Sequence, residues 1–283
     1  MFVNLVRIGL IRLFKGSRFV IGAVIALLMM LMLIMFRELI LVEGEMINAD
    51  MDLALNEPMA EQYAGFTVGI EAGLLFCMYS TVCFVCDYYK NRQKINIEGM
   101  IRSRAKLCMS EICALFIFSL CVGLFGPVVS FIGLLRDGLD RVLILEYPLA
   151  FLTMTISGGV MIFTMCLPIF CCSKIFRKKS VSMAVYGVCY IFYMFAILFF
   201  ASYSAGFRSS VEAGTYVAEV EAAPALVNSQ VVACFITPGS FLFEAASGTP
   251  SDVPVPIIVA ATATYILFWS VLSVLASRRD SQI

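Results

Sequence analysis

Side chains able to do acid, base or nucleophilic chemistry are few in this chain, and their types exclude more than they allow. There is no histidine. That removes HExxH zinc chemistry, Ser-His-Asp triads, bis-histidine haem ligation and histidine phosphotransfer. There are eleven cysteines. Cys77, Cys83, Cys86, Cys113, Cys121, Cys166, Cys171, Cys172 and Cys189 fall in or at the edges of apolar runs, and Cys234 lies in a segment expected outside the membrane. This is the placement of small, reduced, buried thiols and not of a disulfide framework. Cys83-x-x-Cys86 has redox or zinc spacing, but it ends an apolar run and has no second pair. Cys171-Cys172, at another run's end, is open to acylation.

Two carboxylates stand out because they sit in apolar surroundings, Glu71 near the outer end of one run and Glu111 near the end of another. A carboxylate at membrane depth is a functional candidate by default, and Glu71 is the one read as a candidate for gating or for the substrate path. Glu71, so near the interface, can also simply reach water. It is flanked by Gly69 and Gly73 in "GIEAG", a spacing that permits close helix approach, either within the chain or to a second subunit. The acidic residues of the expected outer loops show no EF-hand ligand spacing and read as a solvated face. No GxxxxGK[ST], GxSG-like or DxxD-like constellation is present. No catalytic residue, metal site or bound cofactor is therefore assigned to the chain.

The elements that must position these groups are dictated by composition. Of 283 residues, 61% are hydrophobic and 14% charged, too few charges to cover a water-facing globule of this size. Six apolar runs, 19–37, 66–86, 110–134, 149–172, 182–203 and 255–276, are each near the roughly 20 residues that a bilayer core demands. The expected fold is an all-α integral membrane protein, one domain over residues 1–283, with six transmembrane helices. The first run is too long for a signal-peptide core and has no small-x-small cleavage site, so it reads as a retained span. Sixteen of the 20 Lys and Arg residues precede the first span, follow the second and fourth, or lie in the tail; the other side has Arg37, Arg136, Arg141 and Arg208. The positive-inside rule then places both termini in the cytoplasm of a multi-pass cell-membrane protein. Net charge is zero, which gives no sign of a nucleic-acid partner. "VVACFITPGSFLFEAAS", before the last span, is apolar but broken by Pro238-Gly239, as expected of a re-entrant outer hairpin.

Two amphipathic pieces remain. In "FVNLVRIGLIRLFK", helical periodicity puts Phe2, Leu5, Val6, Gly9 and Leu13 on one face, with Asn4, Arg7, Arg12 and Lys15 roughly opposite. Such a helix can lie in the membrane interface, or serve only as a basic flank that sets topology. In "KINIEGMIRSRAKL", residues 94–107, Ile95, Ile97, Met100 and Ile101 supply apolar contacts and Lys94, Arg102, Arg104 and Lys106 supply charge, with Gly99 at a bend. An exposed strip of this mixture lies on lipid or docks a protein.

The order of these parts, with "DYYKNR" and "EGMIRSRAKLCMSE" leading into the third span, resembles the ABC-2 type permeases, the membrane subunits of ATP-binding cassette exporters. The matching residues are Gly99, Ile101, Ser103 and Arg104. Glu111 departs from the Lys often found just inside the third span. The broken hairpin and the tail with Arg278, Arg279 and Asp280 also resemble the family. The resemblance implies that Ile95, Ile97, Gly99, Met100, Ile101, Arg102, Ser103 and Arg104 form a coupling segment seated on a separate ATPase subunit, which would bind ATP and Mg. It implies a second permease subunit, identical or not, and export of an amphipathic or peptide substrate, with spans 1, 2 and 5 lining the path. Two other readings stay open: a membrane-embedded enzyme, for which clustered intramembrane groups are missing, and a non-transporting sensor partner or immunity factor acting through its acidic outer loops.

Overall fold

The computed structural model describes residues 2–14, 19–20, 22–24, 27–28, 57–90, 103–125, 127–128, 141–192, 195, 231, 234–239, 241–242 and 253–279, with the backbone alone for 57–68, 71, 90, 141–150 and 279. Among the described residues every regular element is a helix. The longer ones are α1 (Phe2–Phe14), α2 (Glu57–Lys90), α3 (Arg104–Gly123), α4 (Arg141–Phe176), α5 (Lys179–Phe192) and α6 (Val255–Arg279). Four of them hold stretches long and apolar enough to cross a membrane: Ala72–Tyr89, Arg104–Gly123, Phe151–Phe176 and Val255–Arg278. These correspond to the second, third, fourth and sixth apolar runs. The first and fifth runs, and most of the segment before α6, lie partly outside the described residues.

The bounds differ from the apolar runs for physical reasons. Inside hydrocarbon a helix satisfies its own backbone groups, so it continues wherever neighbours cover it. Thus α3 starts at Arg104, six residues before the apolar run, with Leu107 and Cys108 buried and Lys106 exposed. α4 runs through Pro168 to Phe176 and stops at Arg177, whose φ of 57° turns the chain toward α5. The Arg177 N–H donates to the Ser173 carbonyl at 3.0 Å, closing that helix end.

α4 is the centre of the bundle. It packs against α2, α3 and α6, and α3 in turn packs against α1. Of its apolar stretch 78% is buried, against 22% for α6, which is peripheral. Leu74, Met78, Phe118, Ile162, Leu167 and Phe170 are fully enclosed. Phe118 meets Phe14 at 5.1 Å and Phe76 at 5.9 Å between ring centroids, within the range of favourable aromatic pairs. α3 and α4 approach closely through two glycines. A Cβ on Gly123 would stand 2.8 Å from the Thr155 carbonyl oxygen, and one on Gly159 would stand 2.8 Å from Leu120 Cα. Gly73 is also used inside the chain: its missing Cβ makes room for Val122 of α3 and Ile162 of α4. Gly69 is buried.

α1 is packed differently from a helix merely resting on lipid. Gly9 and Leu13 are buried, and a Cβ on Gly9 would come within 2.8 Å of the Ala114 Cβ of α3. Leu5 and Val6 are half-buried on the same side. The face with helical apolar periodicity is thus turned toward protein from Leu5 to Leu13, while Phe2 at its start is exposed. The opposite side is not uniformly polar, since Val3, Ile8 and Ile11 are exposed there beside Asn4 and Arg7. Arg12, grouped by periodicity with the polar residues, sits at the rim and turns inward.

Candidate functional site

At one end of the bundle a buried ion cluster joins five helices. Glu111 enters from the second turn of α3, Lys174 from the last turn of α4, Arg12 from α1 and Ser277 from the last turn of α6. The Lys174 ammonium donates to Glu111 Oε2 at 2.5 Å and to Ser277 Oγ at 3.4 Å. Ser277 Oγ donates onward to the Ser273 carbonyl at 2.9 Å. Arg12 Nη1 lies 3.7 Å from Glu111 Oε1, and its Nη2 donates to the Phe84 carbonyl of α2 at 3.0 Å. The Arg12 guanidinium also covers the rings of Phe84 and Tyr88, at 4.5 and 4.9 Å, and the Lys174 ammonium lies 4.9 Å from the centroid of Phe170. Such faces attract cations through the ring quadrupole.

Burial makes this cluster expensive and specific. The side chains of Arg12, Glu111 and Lys174 are 16%, 6% and 7% exposed. Removing charges from water costs several kcal/mol per ion, recovered only with good geometry and satisfied hydrogen bonds. Here two cations share one carboxylate, so the cluster keeps one net positive charge. Burial draws the pKa of Arg12 below the ordinary guanidinium value, and the neighbouring Glu111 charge opposes that shift.

The cluster lies at the basic end. The helix ends that meet there carry Arg104, Lys106, Lys178, Lys179 and Arg278. Arg177 lies 5.4 Å from the Tyr89 ring and Lys179 lies 5.5 Å from the Tyr79 ring. Among the coupling-segment residues, Ser103 and Arg104 are described: Ser103 is the N-cap of α3, without a side-chain cap bond, and Arg104 is the first helical residue. Ile95, Ile97, Gly99, Met100, Ile101 and Arg102 lie outside the described residues, as does the side chain of Glu71. The joining segment leaves α2 just after Tyr88 and Tyr89 and enters α3 two turns before Glu111, so both its anchors lead straight into the cluster.

Periodicity and spacing did not bring Arg12, Glu111 and Lys174 together. Lys174 counts in sequence as one of a basic group after a span, and Arg12 as part of a polar helix face. The one sequence signal was Glu111 itself, since a carboxylate in an apolar helix demands a buried partner.

Away from this end the chemistry is sparse. All eleven cysteines are free thiols and seven are buried. Cys77 and Ser119 join α2 to α3 through a 3.4 Å contact. Among the described residues no group of three or more Cys, Asp or Glu side chains is arranged to hold a metal. On the opposite side, Thr237, Pro238 and Gly239 are buried, and Gly239 is seated against Met161 and Thr164 of α4. Cys234 packs with Val253, Ile258 and Ala261 at the start of α6. Comparison of the chain with protein-family models, with curated proteins and with solved structures gives no match.

Proposed function

We propose that this chain is the permease subunit of an ATP-binding cassette exporter, driven by a separate ATPase seated on residues 94–104. The observation that supports the reading is where the helix ends on either side of that segment lie. α2 and α3, the helices it joins, both enter the Arg12–Glu111–Lys174 cluster, and the cluster continues into α4 and α6. A push on the segment therefore reaches the central helix and the last helix through buried, short-range ionic contacts, without passing through a loose surface. Alternating access needs this kind of link, because ATP shifts a conformational equilibrium only as far as it binds the two states differently.

In this reading six spans cross the cell membrane with the basic end and both termini in the cytoplasm, and the permease pairs with a second such subunit. ATP and Mg bind the partner ATPase. The segment around Pro238-Gly239 is re-entrant. Met161, its neighbour, lies ten residues into the apolar stretch of α4, about 15 Å of helical rise, or half of a roughly 30 Å bilayer core. The substrate is amphipathic or peptidic.

The test is a mild-detergent purification of the tagged protein from its native cells, with ATPase activity assayed on what co-purifies. The reading expects a stoichiometric cassette ATPase, released by the double charge reversal Arg102→Glu and Arg104→Glu while membrane insertion is retained. An ATPase that stays bound at wild-type strength removes the segment from the coupling role. A chain that purifies without an ATPase overturns the permease reading in favour of a non-transporting membrane protein.

A further inference from the structure

We propose that α1 is a releasable strap held in the bundle by charge, with anionic lipid headgroups competing against Glu111 for Arg12. This does not depend on the permease reading. Three features of the ion cluster lead to it.

The first is asymmetry. Lys174 takes one Glu111 oxygen at 2.5 Å and has Ser277 as a second acceptor, whereas Arg12 stands 3.7 Å from the other oxygen. When α1 leaves, the Glu111–Lys174 pair stays behind neutral and hydrogen-bonded. When α1 is docked, the same site must hold an additional cation away from water. Either cation alone balances Glu111, but Arg12 is the one with the longer contact to it, so its departure leaves the hydrogen-bonded pair intact, whereas removing Glu111 strands two buried charges.

The second is shape. The docked face of α1 closes on α3 through Gly9 against Ala114, a flat contact between small groups at the middle of the helix. Leu13 and the Phe14–Phe118 ring pair complete it.

The third is where the released helix goes. Its outer side already exposes Val3, Ile8 and Ile11 beside Arg7. A helix apolar on both sides and carrying Arg7 and Arg12 stays at the membrane surface, where anionic headgroups attract each basic side chain. Release thus moves Arg12 from a carboxylate to a lipid phosphate.

The experiment uses the full chain with p-benzoylphenylalanine placed at Phe14, reconstituted into nanodiscs of phosphatidylcholine or of phosphatidylcholine mixed with phosphatidylglycerol. Photo-crosslinking to α3 around Phe118, quantified by mass spectrometry, reads docking. The expected result is efficient crosslinking in the neutral discs and a roughly fivefold loss in the anionic ones, the factor one basic residue gains beside an anionic surface. Arg12→Gln should lower the yield in neutral discs and abolish the lipid dependence, while keeping the Glu111–Lys174 pair and hence the bundle. Gly9→Leu should lower it in both lipids, which establishes that the crosslink reports docking. Equal wild-type yields in the two discs overturn the proposal, as does an Arg12→Gln protein that crosslinks like wild type. If the Arg12 variant does not fold, the wild-type lipid comparison decides alone.

Discussion

Replacing Glu111 with Gln separates a bundle held by its ion cluster from one that merely tolerates it. The substitution keeps size and hydrogen-bonding capacity but leaves Arg12 and Lys174, 16% and 7% exposed, without a counter-charge. Breaking a buried pair from one side costs about 3–5 kcal/mol, because the remaining charge stays uncompensated. Lys174→Met behaves differently, since Glu111 keeps Arg12 at 3.7 Å and the site becomes neutral. Its cost should be about 1–3 kcal/mol, the range for a lost buried hydrogen-bonding partner. Combining the two should cost less than their sum, because the double variant strands Arg12 alone. Thermal unfolding in detergent, followed with a thiol-reactive fluorogenic dye, suits this chain because seven of its eleven cysteines are buried until the bundle opens. At about 2 °C per kcal/mol for a chain of this length, Glu111→Gln should unfold roughly 6–10 °C lower. A midpoint within about 2 °C of wild type, or a larger loss for Lys174→Met than for Glu111→Gln, would refute the reasoning.

The glycines make a matched pair of tests. Gly159→Val drives a branched side chain into the Leu120 backbone of α3, where a Cβ alone stands 2.8 Å away, and should lose about 3 kcal/mol in the same unfolding assay. Gly187→Ala on α5 meets nothing within 4 Å and should be neutral or gain up to about 1 kcal/mol from helix propensity. Peptide mapping after brief treatment with a small membrane-permeant maleimide follows the cysteines one by one. Cys77 and Cys166, both at 0% exposure, should react only on unfolding, and their early labelling would contradict the α2–α4 packing.

What could be read in advance was whatever is periodic or local. Runs of about twenty apolar residues mark helices because the bilayer leaves the backbone few other ways to satisfy itself, and four of the six expected spans appear as such. The glycine pair in "GIEAG" was visible as a motif, but Gly73 serves packing against Val122 and Ile162 of the same chain. The tighter contact, Gly123 on Gly159, has no local motif, since each helix contributes a single glycine. The ion cluster was invisible for the same reason. Lys174 is 63 residues from Glu111 and 103 from Ser277, and no spacing rule spans such separations. Arg12 groups by periodicity with the polar face because periodicity sorts residues by angle, and a rim residue turns to whichever neighbour has the counter-charge.

The two cations that share Glu111 are also ordered in time. A ribosome makes Arg12 first, Glu111 next and Lys174 later, after α3 is already complete. An acidic side chain in an apolar helix is costly to insert without a counter-charge. When α3 enters the bilayer its best-placed partner on α4 does not yet exist, but Arg12 does. Of the two cations that meet Glu111 in the finished protein, Arg12 is thus the one already made when α3 is inserted, and Lys174, which takes the closer oxygen, is the one that follows.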